Sequence, residues 1–216
     1  MNKTDLKLYA ITDRQWLRGA RLSEHVKLAI EGGATMIQIR DKDILSTDSD
    51  AGLKDEYNEA LEIKRICHEH KVPLIINDNV QFAIDIDADG VHLGQDDMNP
   101  AEARKLLGTD KIIGVTAKTV EQAKRAEADG ADYLGSGAVF GSTTKLNAKP
   151  MTKELLREIT AAVDIPVVAI GGINADNAAT LKGTGIAGIA VVGAIFASAD
   201  IKAAARKLAE ICDNML

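Results

Sequence analysis

Eight short apolar segments alternating with amphipathic ones predict a single-domain α/β protein, a closed (β/α)8 barrel over residues 1–216. Three observations carry that reading. The strand candidates number eight, several are apolar on both faces, and nearly all end in polar or glycine-rich sequence. Strands buried on both faces belong to parallel sheets covered by helices. Eight of them with intervening helices favour closure over an open sheet.

The strands read in order as LKLYAIT (6–12), TMIQI (35–39), PLIIN (73–77), GVHL (90–93), KIIGV (111–115), DYLGS (132–136), PVVAI (166–170) and GIAVV (188–192). Between them lie the helix patterns SEHVKLAIEGG, LKDEYNEALEIKRICHEH, NPAEARKLLG, TVEQAKRAEADG and TKELLREITAAV. Ser23 and Thr119 are expected to cap helix N-termini, and Pro100 fits a first helical position after Asn99. Gly32, Gly90, Gly130 and Gly185 are expected in the turns from helix to strand, where one junction repeats along the chain. The longest irregular stretches, 41–51 and 138–151, follow strand C-termini, the end at which barrel enzymes carry their substrate loops.

Bulk properties narrow the function. A formal net charge of −6 gives no general attraction to nucleic acid or acidic membranes. Any phosphate site must therefore be local. MNKTDLKLYAIT turns polar at once, unlike a signal peptide, and no apolar run reaches transmembrane length. Cys67 and Cys212 lack CxxC spacing and read as inert structural thiols, and the four histidines form no zinc pattern. These features together point to a cytoplasmic enzyme of small molecules, with no nucleic-acid or membrane partner. Homo-oligomerisation is left open.

The strand ends supply the chemistry. Gln38, Arg40 and Lys42 are spaced two apart, so Gln38 and Arg40 share the inward face, with Lys42 following if the chain stays extended. Asp78 and Asp97 follow consecutive strands and would meet at one rim. Two carboxylates about 4 Å apart repel by about 4 kcal/mol at an effective dielectric of about 20, which a cation or a shared proton relieves. Acidic groups to hold a metal beside basic groups to hold phosphate suggest Mg²⁺-assisted chemistry on a phosphorylated small molecule, since Mg²⁺ takes only one or two protein carboxylates. GSGAVFGSTTK offers Ser142, Thr143, Thr144 and Lys145 to a diphosphate, without P-loop spacing. Gly171, Gly172 and Gly193, after the last two strands, suit a second phosphate. His92 is expected to point inward and be hydrogen-bonded in the core.

This constellation resembles the thiamin-phosphate synthase (thiamin-phosphate pyrophosphorylase) family. Q-x-R-x-K is met by Gln38, Arg40 and Lys42, the N-D pair by Asn77 and Asp78, and ADGxHxGQxD by residues 88–97. ADYxGxGxxFxxxTK matches 131–145 and AIGGI matches 169–173. The family commonly has Ser where Thr116 stands, His where Lys118 stands, and Thr-x-Thr-Lys where this chain has Ser142-Thr143-Thr144-Lys145. The resemblance implies a TIM barrel and a transferase that joins a hydroxymethylpyrimidine diphosphate to a hydroxyethylthiazole phosphate, releasing pyrophosphate. It implies Mg²⁺ on Asp78 and Asp97. Gln38, Arg40, Lys42, Asn77, Thr116 and Lys145 would hold the pyrimidine diphosphate, with Arg40, Lys42 and Lys145 neutralising the leaving group. Ser142, Thr144, Gly172, Val192 and Gly193 would take the thiazole phosphate. The rival readings are a thiazole tautomerase, which needs neither metal nor diphosphate, and a non-catalytic thiamin-phosphate-binding barrel.

Overall fold

The computed structural model describes residues 2–40, 50–141 and 150–216, the side chains of 50–53 excepted. Its strands are β1 (Leu8–Ile11), β2 (Met36–Ile39), β3 (Leu74–Asn77), β4 (Gly90–Leu93), β5 (Ile112–Thr116), β6 (Tyr133–Gly137), β7 (Val167–Ile170) and β8 (Gly188–Val191). All pair in parallel in sequence order, and β8 returns to β1, closing the barrel. Each strand lies within two residues of its predicted bounds. The helices are α1 (Leu22–Glu31), α2 (Asp50–Glu69), α3 (Val80–Asp85), α4 (Pro100–Leu107), α5 (Val120–Ala128), α6 (Lys153–Ala161), α7 (Gly193–Phe196) and α8 (Ile201–Met215).

Alternation divides the core in two. Outward strand residues such as Ala10, Ile37, Leu74 and Leu134 pack under the helices. Inward residues, among them Tyr9, Ile11, Met36, Ile75, Tyr133 and Val168, fill the barrel. α8 shows how a helix joins the outer layer: Ile201, Ala205, Leu208, Cys212 and Met215 recur at helical spacing and are all buried. Burial pushes the Cys67 thiol up to about 12 and the Cys212 thiol up to about 11, so both behave as apolar filler.

Caps follow the sequence except at α1. Thr119 and Asn99 cap α5 and α4, with Pro100 in the first turn. At α1 the capping position is Arg21, and Ser23 is a buried helical residue. The reason is Glu59 of α2, 6 % exposed, whose carboxylate accepts from the Leu22 N–H at 2.8 Å and from Arg14 at 3.1 Å. A tertiary acceptor replaces the local one. Gly32 lies in the turn from α1 toward β2, as expected. Its backbone is right-handed, and its lack of a side chain lets α8 approach, since a Cβ there would collide with the Lys202 carbonyl and Ala205. Between β7 and β8 no α-helix forms. Asn174 and Asn177 accept backbone N–H groups at 2.9 Å and wind the segment into tight turns ending in a 3-10 turn, Ala178–Leu181.

The helix-to-strand repetition has a physical counterpart at the opposite rim from the site. The residue before β2, β4 and β6 accepts an N–H at the start of the preceding strand: Thr35 from Leu8, Asp89 from Leu74 and Asp132 from Ile113, at 2.7–2.9 Å. Among the described residues no helix is long and apolar enough to cross a membrane.

Candidate active site

Parallel closure brings every strand C-terminus to one mouth. Asp78 follows β3 with φ +60°, a left-handed conformation that Asp tolerates better than most residues. Its N–H donates to the His92 carbonyl at 2.8 Å, and Asn77 Nδ2 donates to its Oδ2 at 2.6 Å. Asp97 folds back so that its Oδ2 accepts from the Gly94 N–H at 2.6 Å. The Asp97 carboxyl group stands close enough to Asp78 to act on it. Desolvation, then hydrogen bonding and charge from Asp97, raise Asp78 to about 6, against weaker pulls from Asn77 and Arg40. Carboxylates this close need a shared proton or a cation between them.

That donor set suits a hard divalent ion. It offers carboxylate oxygens only, two side chains, and an open rim where water and phosphate can complete an octahedron. No group of three or more His, Cys, Asp or Glu able to hold a metal occurs among the described residues, so a fully protein-ligated site is absent from them. Arg40 stands partly exposed at the end of β2, its N–H anchored on Thr12 Oγ1 at 3.1 Å, and its charge acts on Asp78.

Below this rim lies a layer the sequence only half revealed. Gln38 faces inward as the alternation predicts, but it is 2 % exposed, and its Nε2 donates to the Tyr9 hydroxyl at 2.6 Å. The Tyr9 and Tyr133 hydroxyls are 2.9 Å apart. His92 places Nδ1 3.0 Å from the Tyr133 hydroxyl and Nε2 3.0 Å from Thr116 Oγ1. His92 is thus inward and hydrogen-bonded, as expected. Burial lowers it to about 4, with Asp97 pulling weakly the other way. Tyr9 and Tyr133 were not anticipated. Gln95 bridges Arg125 at 3.0 Å to the Thr116 carbonyl at 2.6 Å, fixing the end of β5. The available signal was glycine in mid-strand, at Gly114 and Gly135, a mark of close approach by another group.

Across the mouth, Gly171 and Gly172 have φ of +100° and +66°. A Cβ at Gly172 would lie 2.8 Å from the Phe140 carbonyl oxygen. The turn and the packing against the β6 loop therefore require these glycines whether or not a ligand binds. Gly193 differs: its φ is not left-handed and a Cβ would make only a 3.9 Å contact with Ala197. Gly193 opens α7 just after Val192, on the same rim. The Gly172 N–H has no acceptor among the described residues. Lys42, Ser142, Thr144 and Lys145 lie outside the described residues. Thr116 is placed by the His92 bond, and Lys118, two residues beyond β5, is exposed, its N–H donating to Gln122 at 2.7 Å.

The described site residues thus gather at one mouth, the carboxylates and Arg40 near β2 to β4 and the glycines near β7 and β8. Comparison with known proteins bears on the family and the fold. The family model for thiamine monophosphate synthase matches residues 8–195. The thiamine-phosphate synthase of Ruminiclostridium cellulolyticum is 48% identical over 213 residues, covering 99% of this chain and 98% of that protein. That of Clostridium acetobutylicum is 44% identical over 211 residues, with 98% and 97% covered. The solved thiamine phosphate pyrophosphorylase of Pyrococcus furiosus superposes with a TM-score of 0.87 at 39% identity, covering 99% of this chain and 98% of that one. On sequence and fold, the chain belongs to the thiamine monophosphate synthase family.

Proposed function

We propose that this barrel joins 4-amino-5-hydroxymethyl-2-methylpyrimidine diphosphate to the phosphate of 4-methyl-5-(2-hydroxyethyl)thiazole, forming thiamin phosphate and pyrophosphate. The observation that carries the reading is the Asp78–Asp97 carboxyl pair beside Arg40, on the rim opposite Gly172 and Gly193. Such a mouth suits two phosphorylated partners, one of them bound through a cation. Asp78 and Asp97 would hold Mg²⁺, which would supply charge neutralisation to the departing diphosphate.

The thiazole nitrogen that attacks carries no proton, so no general base is needed. The difficult event is cleavage of the bond from the pyrimidine methylene to the diphosphate oxygen. Its electron pair leaves with pyrophosphate, and the amino-substituted ring stabilises the electron-poor methylene. Arg40, Lys42 and Lys145 would stabilise charge on the leaving group. Asn77 would help hold the diphosphate, and Gln38 and Thr116 would face the pyrimidine. Ser142, Thr144, Gly172 and the Val192–Gly193 backbone would hold the thiazole phosphate, so that the nitrogen is aligned with the methylene. His92, neutral at working pH, orients its neighbours rather than trading protons with substrate.

Mixing both substrates with the protein, with and without Mg²⁺, tests this. Stoichiometric thiamin phosphate and pyrophosphate, dependent on Mg²⁺, are expected. Thiazole isomerisation without pyrophosphate would indicate a tautomerase, and tight thiamin phosphate binding without turnover a non-catalytic barrel.

A further inference from the structure

We infer that Tyr9, Tyr133 and His92 form a hydrogen-bond relay that couples the hydrogen-bonding characters of Gln38 and Thr116 so that the two never donate together, which suits a ring whose edge offers one donor beside one acceptor. The inference rests on the function proposed above and adds how the aminopyrimidine edge is read.

The argument is a count of protons. The chain runs Gln38, Tyr9, Tyr133, His92, Thr116 across the barrel, with links of 2.6, 2.9, 3.0 and 3.0 Å. Gln38, Tyr9 and Tyr133 are at most 2 % exposed, so water does not stand in for a link among them, while His92 and Thr116 at the mouth are partly exposed. Each phenol has one proton to give, and a neutral imidazole has one N–H and one acceptor nitrogen. The direction of any one bond therefore sets all the others.

With the Gln38 amide nitrogen toward Tyr9, Tyr9 donates to Tyr133, Tyr133 to Nδ1, and Nε2–H to Thr116. The Thr116 proton is then left for a ligand, and Gln38 offers its carbonyl oxygen. With the amide turned over, every bond reverses: Thr116 donates to Nε2 and offers a lone pair, while Gln38 offers N–H. In the first arrangement Gln38 accepts and Thr116 can donate; in the second Gln38 donates and Thr116 can only accept, so the two ends never donate together. A ring edge of two acceptors would leave one of them facing a lone pair. Among the described residues Thr116 Oγ1 has no other partner.

A neutral 4-aminopyrimidine offers one of each, an amino donor next to the ring acceptor N3. Protonation of N3 would make it a double donor. A 4-oxo ring carries the same pair in the opposite order. The barrel is hollowed to seat the relay: a Cβ at Gly114 would overlap the Tyr133 ring, and one at Gly135 would lie 3.0 Å from His92 Cε1. Tyr9, Tyr133 and His92 are thus positioning residues.

The test reads the His92 tautomer by imidazole ¹⁵N NMR on the full-length protein, with Mg²⁺ and pyrophosphate present. The probes are 4-amino-5-hydroxymethyl-2-methylpyrimidine and its 4-oxo counterpart. The relay requires a single neutral tautomer with each probe and opposite tautomers between them. In Tyr133→Phe the dependence on the probe should vanish. The KM for the pyrimidine diphosphate should rise at least tenfold, while that for the thiazole phosphate stays within twofold. The same tautomer with both probes in the wild type overturns the relay, as does equal weakening of both substrates in Tyr133→Phe. Should Tyr133→Phe not fold, the wild-type comparison alone decides. A tautomer switch in a protein that makes no thiamin phosphate would uphold the relay and sink the proposed function.

Discussion

Tyr133 occupies the space that a side chain at Gly114 would need: a Cβ there would overlap its Cζ and hydroxyl oxygen. The phenol is fully buried and bonded to Tyr9 and His92, so it has nowhere to swing. Gly114→Ala should therefore cost at least about 3 kcal/mol in denaturant unfolding, the upper range for overpacking a rigid core. A loss under about 1 kcal/mol would show that the ring yields and that the packing account is wrong.

The carboxyl pair makes a prediction that needs no turnover. In metal-free protein the charge of Asp97 opposes ionisation of Asp78, and binding a dication stabilises the folded state by mass action. Mg²⁺ should raise the Tm of the wild type and leave Asp78→Asn and Asp97→Asn unmoved. Turnover in each should fall at least about 100-fold, a loss of about 2.7 kcal/mol in transition-state stabilisation. Asn is the better substitution at Asp78 because it accepts φ +60° more readily than Ala. Equal Tm shifts in wild type and variants would remove the metal from this pair.

Acid stability should carry the mark of His92. An unfolded chain binds a proton on this ring near 6.5, and the folded chain only near 4. Between those values the unfolded state holds more protons, so this ring's contribution to stability rises with pH and levels off above 6.5. The full shift corresponds to about 3 kcal/mol, and partial exposure at the mouth reduces that to about 2 kcal/mol. Asp78, raised toward 6, acts with the opposite sign across an overlapping range. The measurable quantity is therefore the difference between wild type and His92→Gln at pH 4.5 and 7. A difference independent of pH would mean that the ring ionises in the fold.

How much could be read in advance follows from what each signal encodes. The strands were legible because parallel strands buried on both faces are apolar runs of fixed length. The rim residues were legible because closure puts all strand ends together, so Asp78 and Asp97 meet without any side-chain detail. The relay was not. Tyr9 and Tyr133 look like ordinary strand aromatics, and only the register sets Tyr133 opposite Gly114. Ser23 failed as a cap because Glu59, far along the chain, supplies the acceptor. Local propensity loses where a tertiary partner does the same work.

Glu59 offers a direct measure of that tertiary substitution. It is 6 % exposed and satisfies both the Leu22 N–H and Arg14. Glu59→Ala should cost about 2–3 kcal/mol, the loss for buried groups left without their acceptor. Glu59→Gln keeps an oxygen for the helix end and should cost about half as much. An alanine variant as stable as wild type would mean that water caps α1 equally well.

The last prediction concerns which lysine matters. Lys118 stands where the family commonly has histidine, and here its side chain is exposed two residues beyond β5. If the attacking thiazole nitrogen needs no base, this position has no proton to move, and Lys118→Ala should lower kcat/KM less than about tenfold, under about 1.4 kcal/mol. Lys145 would instead neutralise the leaving diphosphate, so Lys145→Ala should cost at least about 100-fold in kcat. Loss of a charge made useful only as the bond breaks lowers kcat more than it raises KM, whereas loss of a binding contact does the reverse. Steady-state kinetics of the two variants, with each substrate varied in turn, separates these cases. If Lys118→Ala proved the more damaging, a proton transfer at the end of β5 would have to be restored to the mechanism.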